Sequence, residues 1–310
     1  MSRLGVSLAA LTLGLTALAG QAQASSEDKD VARLVSFGGV CVSCELSGRK
    51  LTGAKFTGAN FAKAILIGSD LRGAAFYGSN FQSADLTRAD LRGAEMRGAN
   101  FASTNFTDAR LSGVESSGAN FQSANLTRVD LSASELHGAN MVGAVLNRAN
   151  FSNAELTGAN LVSVNARDGN FRNAELNGAN LTNGRFDGAD FRGAEFNAAN
   201  LRGAVFNGAD FRGADLSNAM IGGADLSGAR GLDQDQLDEA CGDGVTRLPR
   251  GLTVRSCHGD RRQIRVIVDF QRAQAEAQRA AAEAQKAAGV AAWAAPAPPK
   301  PPKAPQPPKY

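Results

Sequence analysis

The sequence predicts an all-β solenoid, an elongated stack of short coils, over roughly residues 46–230. Three observations carry this prediction: an apolar residue returns at every fifth position, a small residue lies two positions before it, and polar residues or glycine occupy the other three positions. A period of five fits neither the about 3.6 residues of a helical turn nor the roughly two-residue alternation of a strand. The series contains about 37 units, so the core must grow by stacking.

The two apolar positions of each unit predict how the interior is filled. Large residues such as Leu46, Leu51 and Phe56 alternate with small ones such as Ala54 and Ala59, so we expect layers of both inside a narrow rod. A few units have a small residue in the large position or a valine in the small one: Ser116, Ala166, Val114, Val129 and Val164. We expect a thinner core at Ser116 and Ala166.

The consensus of the unit is Ala-(Asp/Asn)-(Leu/Phe)-X-X, as in Ala59-Asn60-Phe61 and Ala209-Asp210-Phe211, with glycine frequent in the last place. This pattern resembles the pentapeptide-repeat family along the whole stretch from residue 46 to residue 230. The resemblance implies a right-handed quadrilateral β-helix in which four pentapeptides form the four sides of each coil. At about 20 residues per coil and about 4.8 Å between coils, the stretch would form about nine coils and a rod of around 43 Å.

Residues 20 positions apart should stack in columns if four units form a coil. Two inward columns are rich in phenylalanine, and we interpret both as core stacking and not as a ligand groove. They contain Phe61, Phe81, Phe101 and Phe121 in one case, and Phe151, Phe171, Phe191 and Phe211 in the other. An outward column of asparagines from Asn60 to Asn200 should hydrogen-bond along the stack.

A second outward column is acidic and is the candidate interaction strip of this sequence: Glu95, Glu115, Glu135, Glu155, Glu175, Glu195 and Asp215. Like charges about 4.8 Å apart repel by roughly 0.9 kcal/mol per pair in water, so counter-charges are expected nearby. We expect them from five arginines: Arg172, Arg192 and Arg212 in the later coils, and Arg92 and Arg97 beside Glu95.

The middle of this column has serines where the later coils have arginines. The sequence therefore predicts a net negative strip at Glu115, Glu135 and Glu155, near the centre of the rod. Two interpretations remain open: a solvated face that follows the repeat consensus, or a weak binding site for cations or a basic partner.

The amino-terminal residues 1–24 have the features of a secretory signal peptide. Arg3 precedes an apolar run over residues 4–20, and Ala22-Gln23-Ala24 forms a small-residue cleavage site. We expect cleavage after Ala24 and a periplasmic or secreted protein. The alternative is an uncleaved membrane anchor, although a run of about 17 residues is at the short end for crossing a bilayer.

Composition divides the rest of the chain into further segments. We expect an N-terminal cap at 25–45, the repeat β-helix at 46–230 and a C-terminal cap at 231–259 that contains a short helix from Asp233, its N-cap, to Ala240. Residues 260–294, rich in Ala, Gln and Glu, predict a helical extension. The Pro/Lys-rich residues 295–310 predict a disordered basic tail, either solvated or in contact with an anionic envelope polymer.

The four cysteines fall into two local pairs, one in each cap. About nine coils would separate the pairs, far beyond the roughly 7 Å Cα separation that a disulfide tolerates. This separation also excludes a four-cysteine zinc site. Cys241 and Cys257 are expected to form a disulfide in an exported protein, and the block from Ala240 to Cys257 resembles a C-terminal block of exported bacterial family members. For Cys41 and Cys44, three interpretations remain open: a disulfide, a redox pair or two buried thiols.

Three classes of function compete. A non-enzymatic exported scaffold or interaction protein, which presents faces of a β-helical rod to a cell-envelope partner, fits the sequence best. The alternative, taken from family members that mimic DNA and bind topoisomerases, requires a strongly negative rod. Residues 46–230 contain 18 Lys/Arg and 17 Asp/Glu, so that charge is lacking.

The sequence does not indicate an enzyme. His137 and His258 have no identifiable nucleophile or carboxylate partner, and the abundant acidic residues are explained by the repeat. We expect no catalytic residue, no cofactor, no metal and no nucleic-acid partner, and contact with a membrane only through the signal peptide. A homodimer is compatible with the sequence.

Overall fold

The structure, a computed structural model, describes residues 38–257. The chain winds into a four-sided β-helix in which each ladder residue pairs in parallel with the residue 20 positions later, once in every five residues. The pairs run from Val40↔Asn60 to Asp210↔Arg230, and two further pairs, Met220↔Cys241 and Asp225↔Arg247, join the last coil to the C-terminal cap. The predicted signal peptide, the helical extension at 260–294 and the tail at 295–310 lie outside the described residues.

Each unit is a short ladder segment followed by a tight turn. On the first face, the Asn80 N–H donates to Ala59 O at 2.8 Å and the Phe61 N–H donates to Asn80 O at 2.7 Å, which joins two coils. The Ala64 N–H then donates to Phe61 O at 2.9 Å and closes a turn in which Lys63 has a φ of 58°. Glycine suits this left-handed position: at Gly188, with a φ of 70°, an added Cβ would lie 2.6 Å from Asp168 Oδ1.

The interior consists of the large and small residues that the period predicts. Rings in the first phenylalanine column stack with centroids 4.7 Å apart for Phe61 and Phe81 and 5.2 Å apart for Phe101 and Phe121. Both columns are buried, so the prediction of core stacking is confirmed. The ladder residues are mostly half-buried, because neighbouring coils cover their sides.

Both predicted small positions lie at or beside a buried polar atom without a partner. Ser116 is fully buried, and its Oγ has no hydrogen-bond partner in the described part of the chain. Next to Ala166, the Oδ1 atom of Asn165 is buried without a partner in the same way. Both orphaned atoms therefore lie where a small residue replaces the large inward one.

The C-terminal cap replaces the coil that would follow. It contains helix α1 (Gln234–Asp238) and strands β1 (Cys241–Gly242) and β2 (Arg255–Ser256), which pair in parallel. Asp233 is the N-cap as predicted, in a capping box with Gln236. The helix is shorter than expected, since it ends at Asp238 and the chain then returns to the ladder at Cys241.

Helix α1 closes the end of the core in two ways. The fully buried Leu237 packs on the last coil, and Gln236 Nε2 donates to Phe211 O at 3.0 Å and to Ala214 O at 2.6 Å. A side-chain amide thus satisfies carbonyl groups that would otherwise be left at an open edge. Over residues 38–257, no helix has the length and apolar character needed to cross a membrane.

Candidate interaction surface

The seven residues of the predicted interaction strip, which we call the acidic column, occupy consecutive ladder positions on one side of the rod. The parallel pairs run from Glu95↔Glu115 through Glu135↔Glu155 to Glu195↔Asp215. The first four residues of the column are half-buried, whereas Glu175, Glu195 and Asp215 are exposed. The structure therefore brings together all seven side chains that the 20-residue period placed in one line.

Alternate carboxylates of the acidic column have a partner from the preceding coil. Arg97 forms an ion pair with Glu115, His137 Nε2 lies 2.8 Å from Glu155 Oε2, and Asn177 Nδ2 donates to Glu195 Oε2 at 2.9 Å. In each case the partner is 18 residues earlier in the chain. The interpretation that His137 lacks a carboxylate partner was wrong, because its partner comes from the neighbouring coil and not from the sequence nearby.

Three members of the acidic column have no such partner. Within residues 38–257, the carboxylates of Glu95, Glu135 and Glu175 form neither an ion pair nor a hydrogen bond. Glu135 therefore lies between two paired carboxylates and has no partner of its own. The central negative strip is narrower than predicted at one end, because Arg97 pairs with Glu115; at the other end, His137 contacts Glu155.

The prediction that the other four arginines neutralise the acidic column was wrong. Arg192 Nη2 lies 2.5 Å from Asp190 Oδ2, and Arg212 Nη2 lies 2.6 Å from Asp210 Oδ2. Arg92 likewise pairs with Asp90, and the charge of Arg172 is among the causes that lower the pKa of Asp190. Side chains two positions apart point to the same side of a strand, whereas a residue three positions later lies beyond the turn on the next face.

These contacts define a second charged surface that the sequence reasoning missed. It comprises four pairs, which we call the Asp/Arg face: Asp70–Arg72, Asp90–Arg92, Asp190–Arg192 and Asp210–Arg212. Hydrogen bonds from Arg72 lower the pKa of Asp70 to about 2, and hydrogen bonds from Arg212 also lower the pKa of Asp210. The recurring triplet Asp-(Leu/Phe)-Arg at 20-residue intervals was the available signal.

The other predicted polar column is structural. Asn80 Nδ2 donates to Asn60 Oδ1 at 3.1 Å, and the same contact recurs at 3.0 Å between successive asparagines as far as Asn140. The amide oxygens also accept the N–H two residues later, as Asn80 does from Gln82. The side chains of this column are thus used to join coils.

The cysteines are joined within each cap. Cys41 and Cys44 form a disulfide with Cα atoms 5.2 Å apart, and Cys241 and Cys257 form one with Cα atoms 4.8 Å apart. No free cysteine is present among the described residues. The same part of the chain contains no group of three His, Cys, Asp or Glu side chains arranged to hold a metal ion. His258 lies outside it.

Comparison with known proteins identifies the repeat. The model of the family described as Pentapeptide repeats matches eight copies, over residues 44–82, 79–115, 117–153, 154–193 and 194–230. Members of this family form right-handed quadrilateral β-helices. No curated protein matches the chain.

Several solved structures are similar to the chain. HetL, a pentapeptide repeat protein involved in heterocyst differentiation regulation in the cyanobacterium Nostoc sp. strain PCC 7120, is 25% identical, covering 67% of this chain and 96% of its own, with a TM-score of 0.38. Trypsin-treated QnrB1, a plasmid-mediated fluoroquinolone resistance protein, is 22% identical, with coverages of 74% and 95% and a TM-score of 0.31. A pentapeptide repeat protein of the Arabidopsis thaliana thylakoid lumen is 23% identical, with coverages of 40% and 69% and a TM-score of 0.21. On the family match over most of its length, the chain belongs to the pentapeptide repeat family.

Proposed function

We propose that the protein is a non-enzymatic exported scaffold whose β-helical rod, of about nine coils, presents the acidic column to a basic partner in the cell envelope. The observation that supports this proposal is the contrast between the two charged surfaces. Arginines neutralise the carboxylates of the Asp/Arg face, whereas Glu95, Glu135 and Glu175 have no partner in the described chain. The acidic column thus keeps charge that a partner can neutralise.

The spacing of the acidic column suggests the form of the partner. Coils stack at about 4.8 Å, and basic residues one turn apart on a helix are about 5.4 Å apart along its axis. The mismatch of about 0.6 Å per coil is small. Long, flexible Lys or Arg side chains on successive helical turns can therefore each reach a carboxylate over three or four coils. We therefore propose a basic amphipathic helix lying along the rod as the contacting element.

Capture from envelope fractions tests the proposed surface. The variant Glu115→Gln/Glu135→Gln/Glu155→Gln keeps the shape of the column and removes three charges from its centre. The control Asp85→Asn/Asp130→Asn/Asp168→Asn removes the same number of charges from positions outside the column. We expect the first variant to lose a crosslinked partner that the control and the unchanged protein retain. Equal capture by all three proteins would refute a role for the column.

Export is a separate part of the proposal. It is supported by the signal-like residues 1–24 and by the disulfide in each cap, because disulfides persist in oxidising compartments. Mass spectrometry of the periplasmic fraction should find a protein that begins at Ser25. An unprocessed cytoplasmic product would contradict export. The basic tail is proposed as a tether, so deletion of residues 260–310 should reduce retention in envelope fractions.

A topoisomerase-binding DNA mimic is the second candidate, and the acidic column is the observation that favours it. The Asp/Arg face opposes it, because a mimic needs negative charge around the rod and these carboxylates are already paired. Inhibition of gyrase supercoiling by the purified protein would favour the mimic. Absence of inhibition at concentrations that capture an envelope partner would exclude it.

A further inference from the structure

The two sulfur atoms of the Cys241–Cys257 disulfide differ in their surroundings. Cys241 is 4% exposed and packs against Met220. Cys257 is only partly buried and lines an open surface depression together with Arg202, Gly222 and Asp243. An incoming thiolate can therefore approach Cys257, whereas the last coil shields Cys241.

Glycine keeps this depression open. A Cβ atom added at Gly222 would lie 2.8 Å from Asp243 Oδ2, so a side chain there would displace the Asp243 carboxylate. That carboxylate already accepts hydrogen bonds from the Gly223 and Val245 N–H groups and from Thr246 Oγ1. Arg202 also lines the depression, and a cationic residue there favours the approach of an anion.

The segment that the disulfide holds is also attached by non-covalent contacts, since Leu252 and Val254 pack against the end of the core. Strand β2 is exposed and pairs in parallel with β1. Arg255 Nε donates to Ala240 O at 3.1 Å, the Cys257 N–H donates to Gly242 O at 3.0 Å, and the Thr253 N–H donates to Gln234 Oε1 at 3.1 Å. Exposed hydrogen bonds of this kind open readily without a covalent link.

Strand β1, by contrast, is part of the rod. The Cys241 N–H donates to Ala219 O at 2.9 Å, and the Ile221 N–H donates to Cys241 O at 2.8 Å, so Cys241 continues the ladder of the first face. These contacts do not involve its sulfur. Breaking the disulfide would leave β1 in place and remove the cross-link that ties Cys257, next to β2, to the rod.

We propose that the Cys241–Cys257 disulfide is a thiol-exchange site that a dithiol reductant opens by attack on Cys257. The reductant's thiolate forms a bond to Cys257 Sγ as the Sγ–Sγ bond breaks, and Cys241 leaves as a thiolate that takes a proton from solvent. The second thiol of the reductant then attacks its own mixed disulfide and releases the Cys257 thiolate. The reductant loses two electrons, the cystine gains two, and residues 249–257 are then held to the rod by non-covalent contacts.

The Cys41–Cys44 disulfide is the internal comparison. It joins residues only three positions apart, and Cys41 is 6% exposed. Reduction of this disulfide would release a loop of a single turn and no longer segment. We therefore place the exchange site in the C-terminal cap. The proposal does not depend on the acidic column, and its tests are independent of the capture experiment.

Mapping of a mixed disulfide tests which sulfur is attacked. The native, full-length protein is treated briefly with reduced glutathione, quenched with N-ethylmaleimide and digested for mass spectrometry. We expect glutathione on Cys257 and N-ethylmaleimide on Cys241, with at least about tenfold less of the reverse product, since access controls which sulfur reacts. Glutathione mainly on Cys241, or reaction only at the rate of global unfolding, would overturn the proposal.

Hydrogen exchange tests the release of the segment. After reduction with dithiothreitol, amides of residues 249–257 should lose protection by up to about 100-fold, the effect expected for opening a 16-residue loop. Amides of residues 60–220 should not change. The variant Cys241→Ser/Cys257→Ser should reproduce this pattern without reductant, and Cys41→Ser/Cys44→Ser should not. Unchanged protection of 249–257 in the reduced protein, or loss of protection along the whole rod, would overturn the proposal even if a variant fails to fold.

Discussion

The Asp/Arg face and the acidic column use the same ladder position of the same repeat, yet their carboxylates differ in how they are neutralised. Asp90 accepts the N–H of Arg92 at 3.3 Å and its Nε–H at 2.8 Å, so the short side chain bonds to the residue two positions later. Glu95 is also followed two positions later by an arginine, but Arg97 pairs with Glu115 of the next coil.

The Asp and Glu side chains of the two surfaces differ in length by one methylene group. An Asp carboxylate at a ladder position can accept hydrogen bonds from the backbone N–H of the residue two positions later. It can also accept hydrogen bonds from the guanidinium of that residue, in a bidentate arrangement. In the acidic column, Glu115, Glu155 and Glu195 instead contact side chains of the preceding coil. On our proposal, the paired Asp residues stabilise the rod, and the unpaired Glu residues of the acidic column keep charge for a partner.

The cores behind the two surfaces also differ, and the largest predicted effect concerns them. Leu131, fully buried behind the Asp/Arg face, belongs to a column with no gap. Leu131→Ser should lower the free energy of unfolding by about 3–5 kcal/mol, because it leaves a cavity and a buried hydroxyl. Urea unfolding followed by circular dichroism measures this. A loss below about 1 kcal/mol would show that the coils relax around gaps.

Asp210 is the most enclosed carboxylate of the Asp/Arg face, with a side chain that is 10% exposed beside Arg212 and Arg192. Asp210→Asn should cost about 1.5–3 kcal/mol of unfolding free energy, since it removes hydrogen bonds between charged groups. Glu135→Gln is the matched control in the acidic column, and its effect should be within about 0.5 kcal/mol. Equal losses at both sites would remove the distinction between the two surfaces.

Acid should destabilise the Asp/Arg face in a defined range. Asp70 has its pKa lowered to about 2 by Arg72, so the native state binds this proton less readily than the unfolded chain, whose Asp groups titrate at about 3.9. The stability it contributes is full above about pH 4 and is lost as the pH falls towards 2. Arg72→Gln should flatten the stability profile there. An unchanged slope in urea titrations between pH 4 and pH 2 would contradict the pairing.

Replacement of Ser116 has the smallest predicted effect on the free energy of unfolding, and it should raise this free energy instead of lowering it. Ser116 lies behind the acidic column between Met96 and Leu136 of the same inward column, with an unpartnered buried hydroxyl. Ser116→Leu should raise the free energy of unfolding by about 1 kcal/mol, because it fills the gap and removes that hydroxyl. A loss of stability in the same urea assay would mean that the surrounding coils have already closed the space.

The sequence predicted those parts of the molecule that depend on the period alone. Counting by five and by 20 placed Phe61 above Phe81, Asn60 beside Asn80 and Glu115 between Glu95 and Glu135. The Asp233 N-cap was also predictable, because capping depends on residue types a few positions apart.

Side-chain pairing was less predictable, because it depends on how each turn rotates the chain. Arg192 is three residues from Glu195 in the sequence, but a corner of the coil separates them, and Asp190 lies on the same side as Arg192. The contacts of Arg97 and His137 cross between coils at an offset of 18 residues, which the 20-residue columns do not show. The end of α1 depends on the pairing of Cys241 with Met220, a tertiary contact.

Zero-length crosslinking tests most directly whether the acidic column is the binding surface. A carbodiimide joins a carboxylate to a lysine amine only where the two are in contact, and the residues joined can be identified by mass spectrometry of envelope fractions. We predict partner crosslinks at Glu135 and Glu175, whose carboxylates have no partner within residues 38–257, and none at Asp190 or Asp210. Crosslinks confined to the Asp/Arg face, or none at the column while a partner is bound, would contradict the account.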